Sequence, residues 1–284
     1  MPILTSFNGV VTDQMPILDR GFLYGDSVYE VCPGYGEKMF LFEEHLERMI
    51  RNAKALKILP PNGDWKSIKP LIQNLRSQHP KPDHYVRWIL SRGVSPIHLK
   101  IFENTPSNLT IIINDLNEYP KEIYETGIKL YIASIERTSK KALDPRIKSG
   151  NYLNNILALD EALNLGFDDT LMLNPQGEVS EAAMSNVFFI DTHGKAHTPK
   201  IESGLLDGIT RSFIIRNIFP KINLEVQERS IHPSEIVNFK ECFLSASIKG
   251  ITPVYQIGSH HFLSAAPDSI TKKIMNLYNS LKRF

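Results

Sequence analysis

A two-part α+β fold is the architecture this chain predicts, and three observations predict it. Strand-like and helix-like segments are mixed without a regular βαβ repeat. Neither a Gly-x-Gly-x-x-Gly nor a P-loop pattern occurs. A polar stretch from Asn117 to Thr126, containing Pro120, reads as a boundary between two segments that can each bury a core. The expected parts are residues 1–118 and 119–284.

The elements follow in order from local pattern. Asn8-Gly9, between Phe7 and Val10, suits a type I′ turn, because both residues tolerate positive φ. Val28 to Cys32 and Lys38 to Leu41 have strand character, with Pro33-Gly34-Tyr35-Gly36 expected to break the chain between them. Phe42, Leu46, Met49, Ile50, Ala53 and Leu56 recur at helical spacing and predict a helix over 42–56. Asp64 to Ser77 reads as a second helix, and His84 to Leu90 and Leu109 to Ile113 read as strands. In the second part, Lys129 to Ile135 reads as a strand, and a helix over 151–165 is closed by Gly166. Leu171 to Leu173 and Val187 to Ile190 are strands around the turn Asn174 to Gly177. Asp207 is placed to cap a helix from Gly208 to about Asn217, which Pro220 stops. Leu224 to Glu228 and Cys242 to Ser245 complete the strands, and Ser269 to Leu281 is a terminal amphipathic helix.

Composition narrows the function classes. The chain has 284 residues, is 42% hydrophobic and carries a formal net charge of +1. That balance gives no electrostatic case for nucleic acid or an anionic membrane as partner. Its apolar runs, such as Val187 to Ile190, are far too short to span a bilayer. The N-terminus lacks a basic region followed by a long apolar core, so no signal peptide is expected and the cytoplasm is the expected compartment. Two cysteines, Cys32 and Cys242, are too few for a disulfide framework. No metal is expected.

Four separated segments hold residues whose chemistry fits together. Lys148 lies in Lys148-Ser149-Gly150-Asn151-Tyr152-Leu153 and offers a primary amine. Glu181 opens Glu181-Ala182-Ala183-Met184-Ser185-Asn186 and offers a carboxylate. Leu206-Asp207-Gly208-Ile209-Thr210-Arg211 begins a helix, whose free N–H groups and positive dipole end suit a phosphate. The fourth segment is Asp19-Arg20-Gly21-Phe22-Leu23-Tyr24-Gly25-Asp26. An amine, a carboxylate and a phosphate cup are what a pyridoxal-phosphate enzyme requires.

In this order the segments resemble the fold-type IV pyridoxal 5′-phosphate (PLP) enzymes. That family holds the branched-chain aminotransferases, the D-amino acid aminotransferases and the aminodeoxychorismate lyases. The resemblance runs from about Asn8 to about Tyr255. It implies the two-domain, D-amino acid aminotransferase-like fold, with PLP at the domain interface. Lys148 matches the Schiff-base lysine, Glu181 the partner of the pyridine nitrogen, and Tyr152 a tyrosine on the cofactor's phenolic oxygen. Arg48, Gly208, Ile209, Thr210 and Ser247 match phosphate contacts, and Leu206 a residue packed on the ring. Ala182 and Ala183 stand where the family often has Ser or Thr.

The implied activity is transamination between an amino acid, branched-chain or D, and a 2-oxo acid. The alternatives are the lyase reaction, which releases pyruvate and 4-aminobenzoate, and a non-catalytic PLP-binding protein. Tyr29 matches an aromatic on the substrate side. D-amino acid enzymes follow Ser-Pro with Arg-x-His to bind the substrate carboxylate. Here Ser95-Pro96 is followed by Ile97-His98-Leu99, which leaves His98, Arg92 and Arg87 as candidate partners. The family also implies a homodimer whose partner loop completes the pocket. His45, Asp19 and Arg20 read as structural.

Overall fold

The structure is a computed structural model that describes residues 3–116 and 119–283. Those residues form two compact units. The first comprises residues 3–116 together with Ile147–Asn151; the second comprises 119–146 and 152–283.

In the first unit the chain runs through β1 (Leu4–Phe7), β2 (Val10–Val11), α1 (Arg20–Tyr24), β3 (Ser27–Tyr35) and β4 (Lys38–Met39). It continues through α2 (Phe42–Ala55), α3 (Ile68–Arg76), β5 (Asp83–Ser91) and β6 (Asn108–Asp115). Among the described residues these strands make one antiparallel sheet in the order β2-β1-β6-β5-β3-β4. Asn8 and Gly9 have φ of 50° and 87°, as the expected hairpin requires. Alternation on β5 and β6 buries Val86, Trp88, Leu90, Leu109, Ile111 and Ile113. They pack with Met49 and Ala53 of α2 and Ile68, Ile72 and Leu75 of α3. Burying each such side chain contributes roughly 1.5–3 kcal/mol before entropy is counted.

Two local expectations are corrected here. Pro33 and Gly34 do not break the strand; β3 runs through them to Tyr35, and the chain turns at Gly36, where φ is 62°. Gly34 pairs with His84, and its missing Cβ is the space that the His84 ring fills. The expected helix over 64–77 begins with a 3₁₀ turn, Trp65–Ser67, and becomes α only at Ile68.

The second unit holds α4 (Lys121–Glu125), β7 (Ile128–Ile132), α5 (Leu153–Asn164), β8 (Asp169–Leu173), β9 (Val179–Ala182), β10 (Asn186–Asp191) and β11 (Ala196–Pro199). There follow α6 (Ile209–Phe213), β12 (Val226–Arg229), β13 (Phe239–Ala246), β14 (Gly250–Ile257), β15 (His260–His261) and α7 (Ile270–Leu281). The sheet order is β12-β11-β10-β13-β14-β7-β8-β9, with β15 on β14. β14-β7-β8 and β11-β12 pair in parallel, and the other pairs are antiparallel. Its core gathers Leu130, Leu171, Val187, Phe189, Leu244 and Val254. The polar stretch expected to be linker contains α4; Asn117 and Glu118 lie outside the described residues. Gly166, with φ of 78°, follows α5 as anticipated. The Ser269 hydroxyl caps α7 by accepting from the Lys272 N–H.

Gly34→Ala tests the close approach on β3. An added Cβ would lie 2.2 Å from His84 Nε2. The substitution is expected to lower stability by about 1–3 kcal/mol, read as a clear fall in the thermal midpoint. An unchanged midpoint would show that the ring has room to move.

Candidate active site

In the first unit the site is built on one strand edge. β4 covers only the second half of β3, and residues 147–151 lie along the first half. The Tyr29 N–H donates to the Lys148 carbonyl at 3.0 Å, the Gly150 N–H to the Ser27 carbonyl at 3.0 Å, and Val28 bridges Ser149. The Asn151 amide donates to the Gly25 carbonyl at 3.1 Å. Gly150 has to be glycine for this approach, since a Cβ would fall 2.5 Å from Ser27 Oγ. The local sequence Ser-Gly-Asn is thus a docking sequence for the lysine before it.

The Lys148 amine lies 4.4 Å from the centroid of the Tyr29 ring. Burial pulls its pKa below the usual lysine value; the Arg48 cation adds to this, while Tyr29 and Glu30 oppose it. Arg87, from β5, sets its guanidinium 4.6 Å from the same ring. It has no carboxylate partner among the described residues.

Strand alternation sends Glu30, next to Tyr29, to the opposite, helix-facing side. Glu30 is wholly buried there. Arg48 Nε donates to its Oε1 and Nη2 to its Oε2, each at 2.7 Å, and His45 Nδ1 lies 2.7 Å from Oε2. A single arginine thus meets the carboxylate in a forked pair.

In the second unit Glu181 sits on β9, 5% exposed. Arg137 Nε donates to its Oε1 at 2.8 Å, and the Leu206 N–H to its Oε2 at 3.2 Å. Asn186 joins the same two elements: its amide donates to the Leu206 carbonyl at 2.9 Å and approaches Glu181 Oε2 at 3.4 Å. The turn after Glu181 is held by backbone, with the Ala182 N–H on the Ser185 carbonyl and the Asn155 amide on the Ala183 carbonyl. Ala182 and Ala183 therefore need no hydroxyl to hold it. Asn186 Oδ1 presses against Gly208, where a Cβ would lie only 2.0 Å away.

Gly208 itself occupies the cap position of α6, and no side chain caps that helix. This corrects the expectation for Asp207, whose Oδ1 instead accepts from the Ser212 hydroxyl at 3.3 Å. The α part of this helix ends at Phe213, and the helical path continues as a π turn over Ile214–Ile218, which keeps the expected extent. Ile209 and Thr210 open α6, with Thr210 buried, and Arg211 anchors it to the Pro199 carbonyl and to Glu228. Ser247 lies in the turn between β13 and β14, and Tyr152 stands half-buried at the start of α5.

The two remaining candidates are placed differently. Arg92 directs Nε and Nη2 to Asp26, Nη1 to the Lys57 carbonyl and Nη2 also to the Leu56 carbonyl. All its donor groups serve the fold. His98 is exposed; its Nδ1 accepts from the Lys100 N–H and its carbonyl from Arg20.

The family model for "Amino-transferase class IV" matches residues 27–257. The chain belongs to the class IV aminotransferases. A relative from Methanocaldococcus jannaschii, named a putative branched-chain-amino-acid aminotransferase, is 29% identical over 97% of this chain and 95% of its own length. The aminodeoxychorismate lyase of Bacillus subtilis is also 29% identical, over 92% of this chain and 87% of its own. The fold matches the branched-chain aminotransferase of Thermoproteus uzoniensis, solved with norvaline. The TM-score is 0.87 at 26% identity, covering 97% of this chain and 93% of that one.

This class IV aminotransferase is an enzyme, and its buried charge partners were not singled out by sequence. Glu30 stands in the apolar run Val28 to Cys32, and that lone acid was the available signal. Arg137 carried none, because its partner lies 44 residues away. Among the described residues no group of His, Cys, Asp and Glu is arranged to hold a metal ion, and no helix is long and apolar enough to cross a membrane.

Glu30 is expected to make the fold of this class IV aminotransferase acid-sensitive. Burial would raise its carboxyl, but Arg48 and His45 outweigh that and hold it at about 2. The folded value lies below the unfolded one, so its stabilisation is full above pH 4.5 and fades as pH falls toward 2. Unfolding in urea at pH 7, 4 and 3 should show this loss, and Glu30→Gln should flatten it. Parallel pH profiles for the two proteins would contradict the assignment.

Proposed function

We propose that this class IV aminotransferase uses PLP to move an amino group between an amino acid and a 2-oxo acid. The observation that carries the reading is Lys148: a docked lysine, its amine shifted toward neutrality and seated on an aromatic ring. Bound PLP supplies an electron-accepting ring that stabilises charge developing at the substrate Cα. Lys148 would provide the amine that holds the cofactor and would carry a proton to or from the substrate Cα. Glu181, oriented by Arg137, would partner the pyridine nitrogen, and Tyr152 the phenolic oxygen. Arg48, Gly208, Ile209, Thr210 and Ser247 would hold the phosphate, with Leu206 against the ring.

On the substrate side the reading selects Tyr29 and Arg87. Arg87 is half-buried and without a carboxylate partner among the described residues, which suits it to a substrate carboxylate. Arg92, whose donors are taken up by Asp26 and two carbonyls, is less suited. The names of the relatives favour branched-chain amino acids over D-amino acids. The lyase reading stays beside it because the B. subtilis lyase matches at the same identity as the M. jannaschii protein.

A homodimer fits the apolar surface left open on each unit. Leu153, Ile156 and Leu157 line an exposed stripe on α5, and Ile97 and Leu99 are 70% and 78% exposed on the first unit. The mass measured by light scattering should be twice the 32.3 kDa of one chain.

Added PLP should give a visible absorbance band that Lys148→Ala abolishes while the fold is kept. L-Leu, L-Ile or L-Glu should then convert the bound cofactor to its pyridoxamine form in a single turnover. No PLP uptake by the wild-type protein would defeat the reading. Pyruvate release from aminodeoxychorismate, without conversion by any amino acid, would select the lyase.

A further inference from the structure

Glu30 is a carboxylate where the fold has least use for one. It faces the apolar side of the sheet, paired across to Trp88, and is wholly buried. A buried ion pair adds little net stability over apolar side chains of the same volume. What a fork-to-fork pair does supply is orientation. Glu30 takes the Nε and Nη2 edge of Arg48 at two contacts of 2.7 Å. The imidazole of His45, also 2.7 Å away, fixes the carboxylate in turn. Glu30 and His45 are at most 1% exposed, and Arg48 is 4% exposed. A guanidinium held along one edge has its plane and direction set, and any further contact falls to its Nη1 side.

We infer that Glu30 is the positioning residue for Arg48, locking the guanidinium in the one orientation that meets the cofactor's phosphate. This rests on the PLP reading above. The inference fixes a direction of effect. Were Glu30 merely a charge that weakens Arg48, removing it would tighten phosphate binding. As a positioning residue, its removal loosens it. Glutamine at this position turns one acceptor oxygen into an N–H donor facing guanidinium or imidazole N–H groups, so the fork cannot be kept.

The test compares PLP with unphosphorylated pyridoxal on the folded protein, read by the visible band formed at Lys148. Glu30→Gln should weaken PLP about tenfold and leave pyridoxal within about twofold. In an Arg48→Gln background the same substitution should change PLP affinity by less than about twofold, since the effect runs through Arg48. That double variant removes both buried charges and avoids stranding either. Glu30→Asp, which keeps the charge but falls one methylene short, should lie between wild type and Glu30→Gln and serves if the glutamine variant does not fold. Tighter PLP binding, or equal losses for PLP and pyridoxal, would overturn the inference. A wild-type protein that binds neither compound would overturn the cofactor reading and the inference together.

Discussion

The docking of residues 147–151 along the open half of β3 is the constraint on which the placement of Lys148 depends. A lysine on a free loop would be a solvated cation with its ordinary pKa. Here the backbone of Lys148 is hydrogen-bonded to the amide of Tyr29, and the amine is laid across the ring of that same residue. One peptide group thus sets both the height of the lysine and the identity of its neighbour. The glycines at 25 and 150 belong to the same device. A Cβ at Gly25 would lie 2.8 Å from Asn151 Oδ1, and one at Gly150 would strike Ser27. Small residues are needed because two backbones meet there at strand distance.

A second theme is shared by the two units, each taken by itself. In each, an arginine holds a buried carboxylate: Glu30 with Arg48, Glu181 with Arg137. The geometries differ. Glu30 is gripped by a full fork and a histidine, so both its oxygens are committed to neighbours on the helix side. Glu181 meets Arg137 through Nε alone and otherwise accepts from the Leu206 amide and Asn186. The first arrangement suits a fixed support. The second suits a carboxylate that has a further task.

Much of this was legible in the sequence, and the limits have physical causes. Helices α2, α5 and α7 were readable because one apolar stripe per turn is a local signal. Lys148, Glu181 and Gly208 were singled out because short motifs surround them. β9, β11 and β14 were not singled out. β9 and β11 are short and mixed in polarity, and β14 opens in the Ile-Thr-Pro-Val run, where Pro253 hides a strand. Glu30 and Arg137 were missed because their importance lies in partners distant in sequence, and a single chain does not display long-range pairing. Arg92 shows the converse: an arginine in a suggestive motif whose donors the fold uses for Asp26 and two carbonyl oxygens. Its spacing said nothing of that demand.

The edge of β3 carries a consequence for the order in which the chain can mature. The first unit's sheet is complete in sequence by Asp115, yet half of one strand edge finds its cover only at residues 147–151. As the chain leaves the ribosome, some thirty residues therefore separate the last strand of that sheet from the segment that closes it. Over that interval the sheet presents an unpaired edge, the feature of β proteins most prone to capture by other chains. Lys148 is thus also part of the piece that seals the first unit.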